Sequence, residues 1–79
     1  MVGRCQVTIV CSDAAVARRA LAVLSLNGVA LRDVSENGPF MGEPPDPNIY
    51  LVVNCALTEA QRTKIRSDLA KHVPGARIQ

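Results

Sequence analysis

The sequence has very few aromatic residues: among 79 residues there is no tryptophan, one tyrosine (Tyr50) and one phenylalanine (Phe40). The core must therefore consist of valine, leucine, isoleucine and alanine, each of which buries a modest area. A domain of roughly this length buries only about 60% of the surface of its unfolded chain. We expect one marginally stable domain, residues 1–79, that completes its burial by forming a homodimer or by docking on a protein partner.

The sequence also lacks a long apolar run. No run is longer than Ala20 to Leu24, which is far below the ~20 residues that a spanning helix needs, and the first residues do not resemble a secretory signal. There are three cysteines, an odd number that suits a reducing compartment better than a disulfide framework. These absences predict a cytoplasmic protein that does not insert into membranes.

Residue patterns that carry catalysis or bind metal are missing as well. The single histidine, His72, lies near the end of a predicted helix, and the seven acidic residues are scattered over loops and helix ends. No cysteine or histidine spacing suits zinc, and no glycine-rich turn leads from a strand into a helix. Acylphosphatases are small enzymes with the order of elements derived below, but their glycine-rich arginine loop is absent here. We predict no enzyme activity, no metal and no cofactor.

Alternation of apolar residues and helix-capping residues predict six elements in the order strand, helix, strand, strand, helix, strand. The predicted elements are β1, Cys5 to Cys11; α1, 13–27; β2, Val29 to Glu36; β3, Ile49 to Cys55; α2, 59–73; and β4, Ala76 to Gln79. Ser12 is the expected N-cap of α1. Thr58 and Gln61 form a capping box for α2. In β2 the alternation breaks between Leu31 and Val34, where a bulge would restore it.

This order of elements predicts an α+β ferredoxin-like βαββαβ sandwich. Split βαβ crossovers place both helices on one face of a four-stranded antiparallel sheet of order 4-1-3-2. The two central strands, β1 and β3, then pair where their residue numbers sum to about sixty. Cys5 lies opposite Cys55 in this register, and Cys11 lies about 20 Å away. The cysteines are either small buried hydrophobes or, for Cys5 and Cys55, a redox pair.

The uncovered face of this sheet and the long loop are the predicted protein-binding surface. The face includes Val10, Tyr50 and Val52 among polar residues, and a half-apolar open face favours a partner. The proline-rich loop between β2 and β3 holds Phe40 and Met41 where polar residues are expected. These two side chains either pack back over the sheet edge or anchor another protein.

Basic residues lie on the outer sides of both predicted helices: Arg18, Arg19, Arg62, Lys64, Arg66 and Lys71. RNA-recognition motifs share this order of elements, but they stack bases on aromatic residues of β1 and β3. Here β1 has no aromatic residue and β3 has only Tyr50. The net charge is only +2, so we interpret the basic residues as a solvated surface and expect no nucleic-acid partner.

Four stretches, spread over nearly the whole chain, share their order and turn residues with one known family. They are Val7-Thr-Ile-Val-Cys11, Ser12-Asp13, Asn27-Gly28-Val29-Ala-Leu31 and Val73-Pro-Gly-Ala-Arg-Ile78. In these features the chain resembles the ACT domain family of regulatory modules. The resemblance implies a noncatalytic regulatory or protein-interaction module that acts through its sheet face, its edge or its long β2-β3 loop.

The same resemblance suggests an alternative function, a sensor of an amino acid or another metabolite at a dimer interface. Metabolite-binding ACT domains have an Asp-x-x-Gly turn after the first strand. Asp13 matches the aspartate of this turn, whereas Val16 stands in place of the glycine. The candidate ligand-binding residues are Ser12, Asp13, Asn27 and Gly28.

Overall fold

The structure, a computed structural model, describes residues 7–79. Its elements are β1, Val7–Cys11; α1, Ala14–Leu26; a 3-10 helix, Leu31–Asp33; β2, Val34–Asn37; β3, Ile49–Val53; α2, Glu59–His72; and β4, Ala76–Ile78. The strands form one antiparallel sheet of order β2-β3-β1-β4, which is the predicted order read from the other edge. The α+β class and the strand order are confirmed, and both are consistent with a ferredoxin-like fold.

β1 and β3 pair in the register that the sequence predicts, with Val7 opposite Val53. β3 ends at Val53, two residues before its predicted end at Cys55. The predicted pairing of Cys5 with Cys55 lies outside the described residues, because Cys5 precedes residue 7. Cys11 is at the far end of β1, opposite Ile49, whereas Cys55 lies two residues beyond the other end of β3.

Both helices pack on the same face of the sheet. One side of each helix and alternate residues of the two central strands form a single buried cluster: Val7, Ile9, Cys11, Ala17, Ala20, Val23, Leu24, Val29, Ile49, Leu51, Val53, Ile65, Leu69 and Val73. None of these residues is aromatic, as the composition predicts. Because side chains alternate across a strand, the intervening residues of β1 and β3 lie on the other face. We call it the open face, since neither helix covers it.

The two helices begin at side-chain caps, but the cap of α1 differs from the prediction. Asp13, and not Ser12, is the N-cap: its carboxylate accepts a hydrogen bond from the Val16 backbone N–H at 2.9 Å. This bond satisfies one of the donors that a helix start leaves unpaired. The prediction for α2 is confirmed, because Thr58 and Gln61 form a reciprocal capping box.

The predicted β2, Val29 to Glu36, is wrong in its first half. Residues Leu31–Asp33 form a 3-10 helix, and the strand runs over Val34–Asn37. The side chain of Val29 is buried and that of Leu31 is exposed. The backbone becomes an extended strand only from Val34. The break in alternation that suggested a bulge marks this helical turn, because alternation requires an extended backbone.

Candidate protein-interaction surface

The open face carries two rows of side chains that cross the strands. The register gives the rows as Asn37, Tyr50, Val10 and Arg77, and then Ser35, Val52 and Thr8. Tyr50 and Val52 are half-buried. Val10 is only 5% exposed, because it lies between the side chains of the neighbouring strands. A protein that covered the open face would therefore contact Tyr50 and Val52 more than Val10.

The loop between β2 and β3 has its own backbone pairing. The Phe40 N–H donates to the Asp46 carbonyl at 2.8 Å, and the Asp46 N–H donates to the Phe40 carbonyl at 2.9 Å. This bridge closes a tip of residues 41–45. Gly38 has a φ of +106°, and a Cβ there would lie 2.5 Å from the Asn48 carbonyl oxygen. Only glycine fits this position without a backbone shift.

Tyr50 attaches this loop to the open face through two contacts. Its hydroxyl donates a hydrogen bond to the Asp46 carboxylate. The centroid of its ring lies 6.0 Å from that of Phe40, with the ring planes tilted by 45°, a favourable arrangement for an aromatic pair. The Asp46 carboxylate also accepts from the Asn48 backbone N–H at 3.0 Å. We call Phe40, Asp46 and Tyr50 the loop clip.

The loop clip shifts two pKa values in opposite directions. The Tyr50 hydroxyl, and then the Asn48 backbone N–H, lower the pKa of Asp46 because they stabilise its carboxylate. The same side-chain hydrogen bond raises the pKa of Tyr50, because the carboxylate retains the phenol proton. The clip is therefore intact between the pH at which Asp46 takes up a proton and the pH at which Tyr50 loses one.

The two apolar residues of the loop occupy different positions. Phe40 packs partly against Tyr50 and is 49% exposed, whereas Met41, at the loop tip, is 90% exposed. Phe40 thus extends the apolar surface of Tyr50 and Val52, and Met41 projects beside it. We call Val10, Phe40, Met41, Tyr50 and Val52 the interaction surface.

The predicted ligand-binding residues lie at opposite ends of α1. Ser12 and Asp13 precede the helix and Asn27 and Gly28 follow it, roughly 20 Å apart for a helix of this length. Ser12 borders a cleft of about 230 Å³ whose other lining residues are Val10, Asn48, Gly75, Ala76 and Arg77. Asn27 borders a separate groove of about 360 Å³ between the helices, where its amide donates to Asp68 at 3.2 Å. One small molecule cannot contact both pairs within one chain.

Cys11 is fully buried in the core, on the face that the helices cover. Burial raises the pKa of its thiol to about 11, and the carboxylates of Glu36 and Asp13 act in the same direction. Because the thiolate is the reactive form of cysteine, such a thiol is a poor nucleophile and a poor metal ligand at neutral pH. Cys11 therefore acts as a small apolar residue in this fold.

Two residues of the site were missed from the sequence. Asp46 lies in a proline-rich stretch typical of a turn, and no local pattern connects it with Tyr50, because the contact depends on how the whole loop folds. Arg77 is different. Once β4 is assigned next to β1, strand register alone places Arg77 beside Val10. This neighbour could therefore have been predicted from the sequence.

Over residues 7–79, no group of three histidine, cysteine or acidic side chains lies close enough to hold a metal ion. In the same range neither α1 nor α2 has both the length and the apolar character that a membrane crossing requires. Comparisons with models of known protein families, with curated proteins and with solved structures give no match to the chain.

Proposed function

We propose that the chain is a noncatalytic, ACT-like regulatory module that binds a second copy of itself or a different protein through the interaction surface. One observation carries the proposal: exposed Phe40 and Met41 lie beside a sheet face, with Tyr50 and Val52, that neither helix covers. Contiguous apolar patches with polar rims on small soluble domains commonly mark contact sites for other proteins.

The composition of the interaction surface supports this role. Tyrosine, phenylalanine and methionine are enriched at the centres of protein interfaces, and the polar residues of the two open-face rows suit a rim. The Tyr50 hydroxyl already donates to Asp46, so a partner that covered it would leave no unpaired donor there. The loop clip also positions Phe40 before binding, which reduces the entropy lost when a partner docks.

Light scattering over a concentration series tests the second-copy form of the proposal, with Val52→Lys as the disrupting variant. A charge on the open face should raise the concentration needed for dimer formation at least tenfold, which corresponds to about 1.4 kcal/mol. Thr63→Lys adds the same charge at an exposed position of α2 and should change nothing. Circular dichroism checks that both variants are folded. If wild type forms a dimer and the two variants dimerise equally well, the interaction surface is not the dimer contact and the proposal is contradicted.

A wild-type chain that stays monomeric at every concentration would exclude the second copy as the partner. The same matched pair then tests a different protein. Wild type, Val52→Lys and Thr63→Lys are cross-linked in extracts of the source cells, and the linked proteins are identified. A protein linked to wild type and Thr63→Lys, but not to Val52→Lys, is the expected result. If every protein linked to wild type is also linked to Val52→Lys, the interaction surface is not the contact site and this form of the proposal is rejected.

A sensor of a small molecule is a second candidate, favoured by the cleft of about 230 Å³ at Ser12. Ser12, Asn48 and Arg77 supply its polar side chains, and Ser12 and Arg77 are exposed. A thermal-shift screen of amino acids, nucleotides and divalent ions tests it, because a ligand at 100 times its Kd adds about 2.7 kcal/mol of stability. An Arg77→Ala variant should lose the shift. No shift with any compound would count against sensing.

A further inference from the structure

Among the described residues, no strand pairs with the outer edge of β4. β4 ends the strand order, and within residues 7–79 it pairs with β1 alone. The Gly75 carbonyl accepts from the Ser12 N–H at 3.2 Å. The Gln79 N–H likewise donates to the Thr8 carbonyl at 2.9 Å. Odd-numbered residues here bond to β1, so in an antiparallel ladder the N–H and C=O of Ile78 point away from it.

A cleft of about 240 Å³ lies along this edge, between α2 and β4. Its lining residues are Arg66, Leu69, Ala70, Ala76, Arg77 and Ile78. The lining is apolar apart from the two arginines and contains no acidic residue. Both arginines are exposed, and neither forms an ion pair with another residue of the described chain. Free main-chain groups, an apolar cleft and two unpaired positive charges therefore occur together.

We propose that the edge of β4 accepts an extended, acidic segment of a partner protein as a fifth strand. Strand addition supplies main-chain hydrogen bonds to Ile78, and side chains that alternate along the added segment supply specificity. Apolar side chains would enter the α2–β4 cleft, and the carboxylates at alternate positions would lie on the side of Arg77. Arg66, in the lining of the cleft, adds a second positive charge nearby. Because β4 has only three residues, the charges carry a large share of the affinity, which should fall with added salt.

An acidic partner fits this edge better than a second copy does. Antiparallel pairing of β4 with β4 of another chain brings the Arg77 side chains of both copies close together, and like charges on paired strands are destabilising. This inference rests on the proposed role in protein recognition. It concerns the sheet edge rather than the open face, so either can fail alone.

The test uses the full chain and a labelled synthetic peptide in which valine alternates with glutamate. Fluorescence anisotropy measures binding, and NMR locates it through the backbone amide of Ile78. The double variant Arg66→Glu with Arg77→Glu should weaken binding at least tenfold, because two attractive charges become repulsive. Arg19→Glu with Arg32→Glu changes the net charge equally, on α1 and next to the opposite sheet edge, and should leave the affinity unchanged.

A second pair of measurements separates strand addition from attraction between charges. The matched peptide with lysine for glutamate should not bind. Ile78→Pro removes the outward N–H without removing a bond to β1, and it should weaken binding although both arginines remain. Val52→Lys should bind the peptide like wild type, so loss of the interaction surface and loss of this site are distinguishable.

Several results would overturn the proposal. These are the absence of peptide binding, equal binding of the lysine peptide, or equal loss of affinity in the two arginine double variants. Stronger binding of a single-stranded oligonucleotide than of the peptide would identify a general anion surface instead. Self-association that the Ile78→Pro variant relieves would identify a second copy as the occupant.

Discussion

Leu51 and Val52 are consecutive residues of β3, yet their side chains lie in opposite environments. Leu51 is fully buried under the helices, whereas Val52 lies half-exposed on the open face. On the covered face every buried position is apolar and the packing explains each residue. On the open face apolar and polar residues are mixed, with Tyr50 and Val10 next to each other between Asn37 and Arg77. The difference shows that the helices and one face of the sheet form the core, while neither helix covers the other face.

The largest expected effect is on folding stability. Leu51→Ala should lower the free energy of unfolding by about 2–5 kcal/mol, because it leaves a cavity in the core. Val52→Ala should cost less than about 1 kcal/mol, as at most partly exposed positions. A domain of this size has only about 4–12 kcal/mol in total. Urea denaturation measures both variants, and equal losses would show that the two faces do not differ.

The next expected effect is on thiol reactivity in the covered core. In a Cys5→Ser/Cys55→Ser variant, Cys11 is the remaining thiol. Burial raises its pKa from 9.0 to about 11, which reduces the thiolate fraction about 100-fold at neutral pH. Alkylation by iodoacetamide should therefore be at least 100-fold slower in the folded chain than in urea. Similar rates in both states would place Cys11 outside the core.

A smaller effect on folding stability is expected at the start of α1, where the chain passes from the sheet to the helices that cover it. Asp13→Ala should cost about 1 kcal/mol, the usual value for loss of an N-cap, because its carboxylate holds the Val16 N–H. Ser12→Ala should have little effect, because the Ser12 side chain does not cap the helix. Thermal unfolding of the two variants measures both values. A larger loss of stability for Ser12→Ala than for Asp13→Ala would show that Ser12 is the N-cap, as predicted from the sequence.

The smallest expected effect is on the loop clip. Tyr50→Phe removes the hydrogen bond that lowers the pKa of Asp46, so this pKa should rise toward its ordinary value. A depressed carboxyl pKa stabilises the fold fully above the unfolded pKa, and this stabilisation decreases as the pH falls below it. The wild-type advantage should therefore vanish as the pH falls through the folded pKa. At high pH it should vanish again as Tyr50 ionises. NMR titration of the Asp46 carboxyl carbon measures the first step, and an unchanged pKa in Tyr50→Phe would rule out the bond.

The sequence predicted those parts of the molecule that depend on local periodicity. The register of β1 with β3 follows from alternation, and the α2 capping box from Thr58 and Gln61. The first half of the predicted β2, from Val29 to Asp33, was mispredicted because a single 3-10 turn resembles a strand with an interrupted pattern. The loop clip could not be predicted from the sequence, since the contact of Asp46 with Tyr50 is made only when the proline-rich loop folds back over β3.

The candidate site was predicted in part. Alternation assigned Val10, Tyr50 and Val52 to one face, and the structure places them there. The low exposure of Val10 was not foreseen, because it depends on the volume of side chains from neighbouring strands. Whether Phe40 packs back over the sheet also required coordinates: its ring lies on Tyr50 and remains half-exposed. Its role as an anchor for another protein stays a prediction.

The most direct test of the account compares the methyl groups of Val52 and Val53 with a soluble paramagnetic probe in a dilute NMR sample. The account predicts strong broadening of the Val52 methyl signals and little broadening of those of Val53. The Val52 signals should become protected when a partner or a second copy is bound. If the probe broadens the methyl signals of Val52 as little as those of Val53 in the dilute monomer, the face that carries Val52 is not open. That result would also contradict the function proposed for this face.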